Sequence, residues 1–114
     1  MNKENLLIVI SSEDKEVLSK FPLLYGSVIL PRGYWNKAHI MFWGPSIKLI
    51  AQDKQLQKSI KEIQKTGVKM SACVVCVEDY GLVKSIKKQG IKVNHTGELL
   101  TKALKSKKWE VLTI

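Results

Sequence analysis

Two cysteines three residues apart, Cys73 and Cys76, are the residues whose type and spacing could do chemistry in this chain. The reactive form of cysteine is the thiolate, which is favoured where free backbone N–H groups gather at the start of a helix. Cys73 falls where a strand-like run, Val68 to Cys73, gives way to a helical stretch, and Cys76 lies one turn further in, where that effect fades. A reactive Cys73 should be partly accessible at the end of its strand. The same run, Met-Ser-Ala-Cys-Val-Val-Cys-Val, is also what a buried core segment looks like, and unreactive cysteine is among the most buried residue types. A metal site is not expected, because the chain has only two Cys and two His and His39 lies inside a strand. No cofactor is expected either.

Three further places could serve a ligand. Gly44-Pro45-Ser46 reads as a strand exit and helix start, and such a start can also cradle an anion through its N–H groups. Ser11 stands just past the first strand. His95, just past the fourth, could tune a neighbouring thiolate or simply face solvent.

These residues need elements to position them. Asn5 to Ile10 is an unbroken apolar run, rich in strand formers and too short for a buried helix, so it predicts a strand covered on both faces. Ser11 to Asp14 supplies a cap and first-turn acids for a helical segment reaching to about Leu30, kinked or divided at Pro22 and Gly26. Lys37 to Trp43 is the second strand, and a helix follows Pro45. Leu56, Ile60 and Ile63 share one face of a helix while Lys54, Lys58, Lys61 and Lys65 form a stripe on the other, the pattern of a helix half in water. Gly67 ends it. After the third strand, Val74 to Lys88 is helical with a break near Gly81. Ile91 to Val93 is a short fourth strand, Asn94 or Thr96 caps a last helix with an apolar face of Leu99, Leu100, Ala103 and Leu104, and Trp109 to Ile114 is the fifth strand.

Strands alternating with helices on short connections imply a three-layer α/β/α sandwich around a mostly parallel five-stranded sheet. Parallel strands all point one way, so Ser11, Gly44, Cys73 and Asn94 should meet at the carboxyl edge, where open α/β sheets bind ligands. The 114 residues have no linker, repeat or low-complexity stretch, so residues 1–114 are expected to be one domain. A chain of this size buries about two-thirds of its unfolded surface without disulfides or metal.

The net charge of +9 comes from 18 Lys and one Arg, Arg32, against 10 acidic residues. Base reading and bidentate phosphate clamps favour Arg, whereas Lys acts as a point charge. Nucleic acid is therefore expected to bind weakly and non-specifically if at all. No membrane span or signal peptide fits the sequence, which makes the expected compartment the cytoplasm and the cysteines free thiols. Between Phe21 and Trp35, apolar and aromatic residues surround a helix rather than stripe it. One sheet face cannot cover them all, so this segment is expected to contribute to a contact between subunits.

At the cysteines the chain resembles the DsrE/DsrF-like sulfur-relay family. Val68-Lys69-Met70-Ser71-Ala72-Cys73 with the later Gly81 is similar to the region around that family's active cysteine, where the helix carrying it follows a strand. Phe42-Trp43-Gly44-Pro45-Ser46 resembles its second strand and Gly-Pro turn, and Gly90-Ile91-Lys92-Val93 leading to Gly97-Glu98-Leu99-Leu100 is a third likeness. The resemblance implies a cytoplasmic homo-oligomer, a trimer or hexamer, whose cysteine carries sulfur as a persulfide between donor and acceptor proteins. By position Cys73 takes that role. Cys76 matches no residue the relay proteins require, and the longer loop that tRNA-thiolation relay subunits carry before the third strand is missing here. Two other classes remain open: a thiol-disulfide redox protein using Cys73 and Cys76, and a non-catalytic oligomeric binding module. Against the first, thioredoxin-type proteins place a later cis-proline opposite the pair, and no proline follows Pro45.

Overall fold

The computed structural model describes residues 3–114. Five strands, β1 (Asn5–Ile10), β2 (Lys37–Phe42), β3 (Lys69–Cys73), β4 (Lys92–Asn94) and β5 (Trp109–Thr113), form one sheet in the order β4-β3-β2-β1-β5. Every pairing is parallel. All six residues of β1 are buried, as a central strand covered on both faces requires.

Alternate residues of β1 feed two cores. Leu6, Ile8 and Ile10 join the large one, whose helical contributors come from α1 (Lys15–Lys20), α2 (Pro22–Val28), α3 (Pro45–Gln52), α4 (Lys54–Lys65), α5 (Val74–Asp79) and α6 (Val83–Lys88). Leu7 and Val9, with Met41, join a small one under α7 (Thr96–Lys105), closed by Leu99, Leu100 and Ala103. The asymmetry follows from chain direction. From β1 to β4 the chain steps one way across the sheet, and right-handed crossovers then keep every helix on one face. From β4 it must return past β1 to β5, which sends α7 to the opposite face.

Local signals explain the divisions. Asp14 caps α1, accepting from the Glu16 and Val17 N–H groups, and Asp53 caps α4, accepting from the Leu56 N–H at 3.0 Å. That N–H and the Lys15 ammonium hold the Asp53 carboxyl below its usual range. Pro22 ends α1 and opens α2 as its first residue, the expected division. Gly26 is no break, however. It is buried inside α2, where a Cβ would stand 3.1 Å from the Ile40 side chain, so the missing side chain lets the helix lie close on β2. The break near Gly81 separates α5 from α6, with φ of +68° at the glycine. The last helix is capped differently from the expectation of Asn94 or Thr96: His95 is the cap residue with no side-chain bond, and Thr96 is the first helical residue.

Candidate functional site

Register sets the edge. Ile10 lies beside Phe42, Phe42 beside Ala72 and Cys73 beside Asn94, so the first four strands of the chain finish nearly level. Their exits are not equivalent. β3 hands its chain to α5 on the large-core face, and β4 hands its chain to α7 on the other. Two adjacent parallel strands whose following helices diverge leave a crevice between them, the topological switch point at which open α/β sheets place ligands. Cys73 ends one of these strands and His95 follows the other. An open pocket of about 730 Å³ occupies the crevice, lined among others by Trp43, Cys73, Val75, Thr96 and Lys102.

Cys73 is the cap residue of α5, with an extended backbone (φ −64°, ψ 118°). The expected partial accessibility is not observed: only 7% of the residue is exposed, and it sits at the floor of the pocket rather than on its rim. Burial by itself pushes the thiol pKa up, but the Cys76 N–H, the Cys76 thiol, the Thr96 hydroxyl and the Val75 N–H outweigh it, so the pKa ends below the ordinary cysteine value. Cys76 goes the other way. Burial raises its pKa, the Gly44 N–H pulls it back in part, and contact with Cys73 and the charge of Asp79 raise it further. The two thiols titrate as a pair, with the surroundings favouring the anion at Cys73 and opposing it at Cys76.

Thr96 is the residue that the sequence offered only as a cap. It is 1% exposed and its Oγ1 has no hydrogen-bond partner. A buried hydroxyl left unpaired costs about 1–3 kcal/mol. Placed beside the Cys73 sulfur, it gains a strong acceptor only when that sulfur is an anion.

The other sequence candidates divide. Gly44 adopts φ 61°, ψ −138°, a conformation that essentially only glycine reaches, and its N–H is thereby turned toward Cys76 rather than Cys73. Pro45 opens α3, and Ser46 is fully buried, donating to the Ile10 carbonyl at 2.7 Å and thus tying α3 to the end of β1. The anion-cradle reading of this turn has no support from Ser46. Ser11 donates to the Ile114 carbonyl through both its N–H and its hydroxyl, and β2 stands between its strand and β3, so it does not reach the cysteines. His95 is exposed and lines the pocket. Lys54, Lys58, Lys61 and Lys65 are all exposed along α4. Among the described residues no group of three or more His, Cys, Asp or Glu side chains could hold a metal, and no helix is long and apolar enough to cross a membrane.

The DsrE/DsrF-like family model matches residues 8–113, nearly the whole chain and the entire site. The chain belongs to the DsrE/DsrF-like family. Among solved structures it is similar to a conserved protein of unknown function from Bacteroides thetaiotaomicron, at 32% identity and a TM-score of 0.92 over 97% of this chain and 95% of that one. The ychN protein of E. coli shares the fold at 16% identity and a TM-score of 0.70, with both chains covered in full. A protein of unknown function from Methanobacterium thermoautotrophicum does so at 14% identity and 0.74, covering 96% and 98%. No curated protein matches the chain.

Proposed function

We propose that this DsrE/DsrF-like protein is a cytoplasmic sulfur carrier that holds sulfur as a persulfide on Cys73. The observation that carries the reading is a thiol of lowered pKa in the β3/β4 switch-point pocket, beside a buried, unpartnered hydroxyl for which a thiolate is the stronger acceptor. In the loading step the Cys73 thiolate attacks the terminal sulfur of a donor persulfide. A new S–S bond forms, the old one breaks, and the donor departs as a thiolate. In the unloading step an acceptor protein thiolate attacks the outer sulfur and Cys73 leaves as the thiolate. A persulfide extends the side chain by an S–S bond of about 2 Å, enough to bring the transferable sulfur off the floor and into the open pocket. The recessed thiol thus gives up little by being buried.

Loading from a cysteine desulfurase, read by mass spectrometry of the intact protein and its peptides, tests this. Cys73→Ser should abolish the added sulfur and Cys76→Ser should keep most of it. Thr96→Val, which keeps the shape and removes the hydroxyl, should raise the pH at which Cys73 reacts with a thiol reagent. Added sulfur on Cys76 alone, or on neither cysteine, defeats the assignment.

A further inference from the structure

Cys76 has no part in that transfer, yet its placement is specific. It stands three residues after Cys73, at the third helical position of α5, where Cys73 and the Gly44 N–H are both near enough to shift its acidity. A cysteine at the cap and another one turn inside the same helix is the spacing at which paired thiols form an intramolecular disulfide across a short loop. Both cysteines are free thiols here. Resting on the persulfide reading of Cys73, we propose that Cys76 is a resolving thiol, which discharges an unclaimed Cys73 persulfide as hydrosulfide and leaves a Cys73–Cys76 disulfide.

The step balances without an outside oxidant. The Cys76 sulfur attacks the inner, Cys73 sulfur of the persulfide, the Cys73–Cys76 bond forms, and the bond to the outer sulfur breaks. The outer sulfur leaves with the electron pair and takes the Cys76 proton, so it departs as HS⁻. The Cys76 sulfur is oxidised from the thiol to the disulfide level, the outer sulfur is reduced to sulfide, and the Cys73 sulfur stays at the disulfide level. An external dithiol then reduces the disulfide and returns both thiols.

The surroundings set the order of events. While Cys73 is a bare thiolate, its charge lies against Cys76 and keeps that thiol protonated. In the persulfide the charge moves to the outer sulfur, away from Cys76, and the restraint weakens. The Gly44 N–H is then in place to receive the negative charge that builds on Cys76 as it attacks. The pocket keeps the outer sulfur open to an acceptor throughout, because it lies on the Thr96 side of Cys73. An acceptor that arrives first takes the sulfur, and only an unclaimed persulfide is discharged.

The test loads the full chain anaerobically with glutathione persulfide, removes the donor, and follows intact mass and released hydrosulfide with time. In the unsubstituted protein the mass of one added sulfur should decay to a species two hydrogens lighter than the dithiol, with hydrosulfide appearing in equal amount. In Cys76→Ser and Cys76→Ala the persulfide should persist about ten-fold longer or more, with no disulfide. Equal persulfide lifetimes in all three proteins, or hydrosulfide release without disulfide, overturn the inference while leaving the carrier reading intact. Absence of loading even in Cys76→Ser overturns the carrier reading, and this inference with it. A separate titration of the unloaded protein in glutathione redox buffers should show the Cys73–Cys76 disulfide forming within one chain, and its failure to form at any poise overturns the inference independently of loading.

Discussion

His39 has its Nε2 2.7 Å from the Ser71 hydroxyl, on the sheet face that α7 covers. Burial, and then the charge of Lys69, lower its pKa from 6.5 to about 4. The sign of the consequence is fixed by linkage. The folded protein keeps the imidazole neutral while the unfolded chain takes up a proton near pH 6.5, so between these values the unfolded state binds more protons. His39 therefore contributes stability that is complete above pH 6.5 and is lost as the pH falls toward 4, on the order of 3 kcal/mol across that window. His39→Gln, which keeps a polar partner for Ser71, should flatten the fall of the melting temperature between pH 6.5 and pH 4. Equal slopes in the two proteins would place the acid sensitivity elsewhere.

Helix α2 shows how one residue sets the distance between elements. Gly26 presses α2 against Ile40 of β2 and Ile63 of α4, and no larger residue fits without movement. A single methyl meets the end of the Ile40 side chain at 3.1 Å, a contact a rotamer change can relieve, and alanine gains about 1 kcal/mol of helix propensity. Gly26→Ala should therefore stay within about 1 kcal/mol of the unsubstituted protein in urea unfolding. Gly26→Leu should cost about 3 kcal/mol or prevent folding, because α2 must lift from a packed core. If leucine is tolerated as well as alanine, the close approach of α2 does not limit stability. The same helix pair turns Phe21 and Leu24 outward, at 47% and 58% exposure, while Leu23 and Ile29 are buried.

For the molecule as a whole, the two faces of the sheet are unequally covered. Among the described residues six helices close the large core, but α7 alone lies over the other face and leaves an apolar cavity of about 260 Å³ between itself, Leu7 and Trp109. The segment from Phe21 to Trp35 is partly absorbed into the fold, with Trp35 donating to the Tyr25 hydroxyl and Tyr25 stacked on Tyr34 at 6.1 Å. Phe21, Leu24 and the half-exposed Tyr34 are left over. We propose that these residues contribute to a homo-oligomer, a trimer or a multiple of three, in which the surplus apolar surface is covered. Light scattering at micromolar concentration should report such an assembly, and Leu24→Asp should shift it toward monomer. A monomer from the unsubstituted chain would remove the idea.

The order of strands and helices, the separation of the lysine stripe from Leu56, Ile60 and Ile63 on α4, and the division at Pro22 were legible in the sequence. Each is a local matter of periodicity, capping or proline geometry, which neighbouring residues decide among themselves. Gly26 reads as a break in the sequence because its reason, the nearness of Ile40, lies on a strand that follows the helix. The placement of Cys73 between a strand and a helix was equally legible. What surrounds it was not: Thr96 is 23 residues away in sequence and reaches Cys73 only because β4 pairs with β3 while α7 departs to the opposite face. The Gly44 N–H arrives at Cys76 from β2 in the same way. Acidity at one cysteine and its absence at the other depend on these through-space neighbours, and strand order, not residue type, decides which neighbours they are.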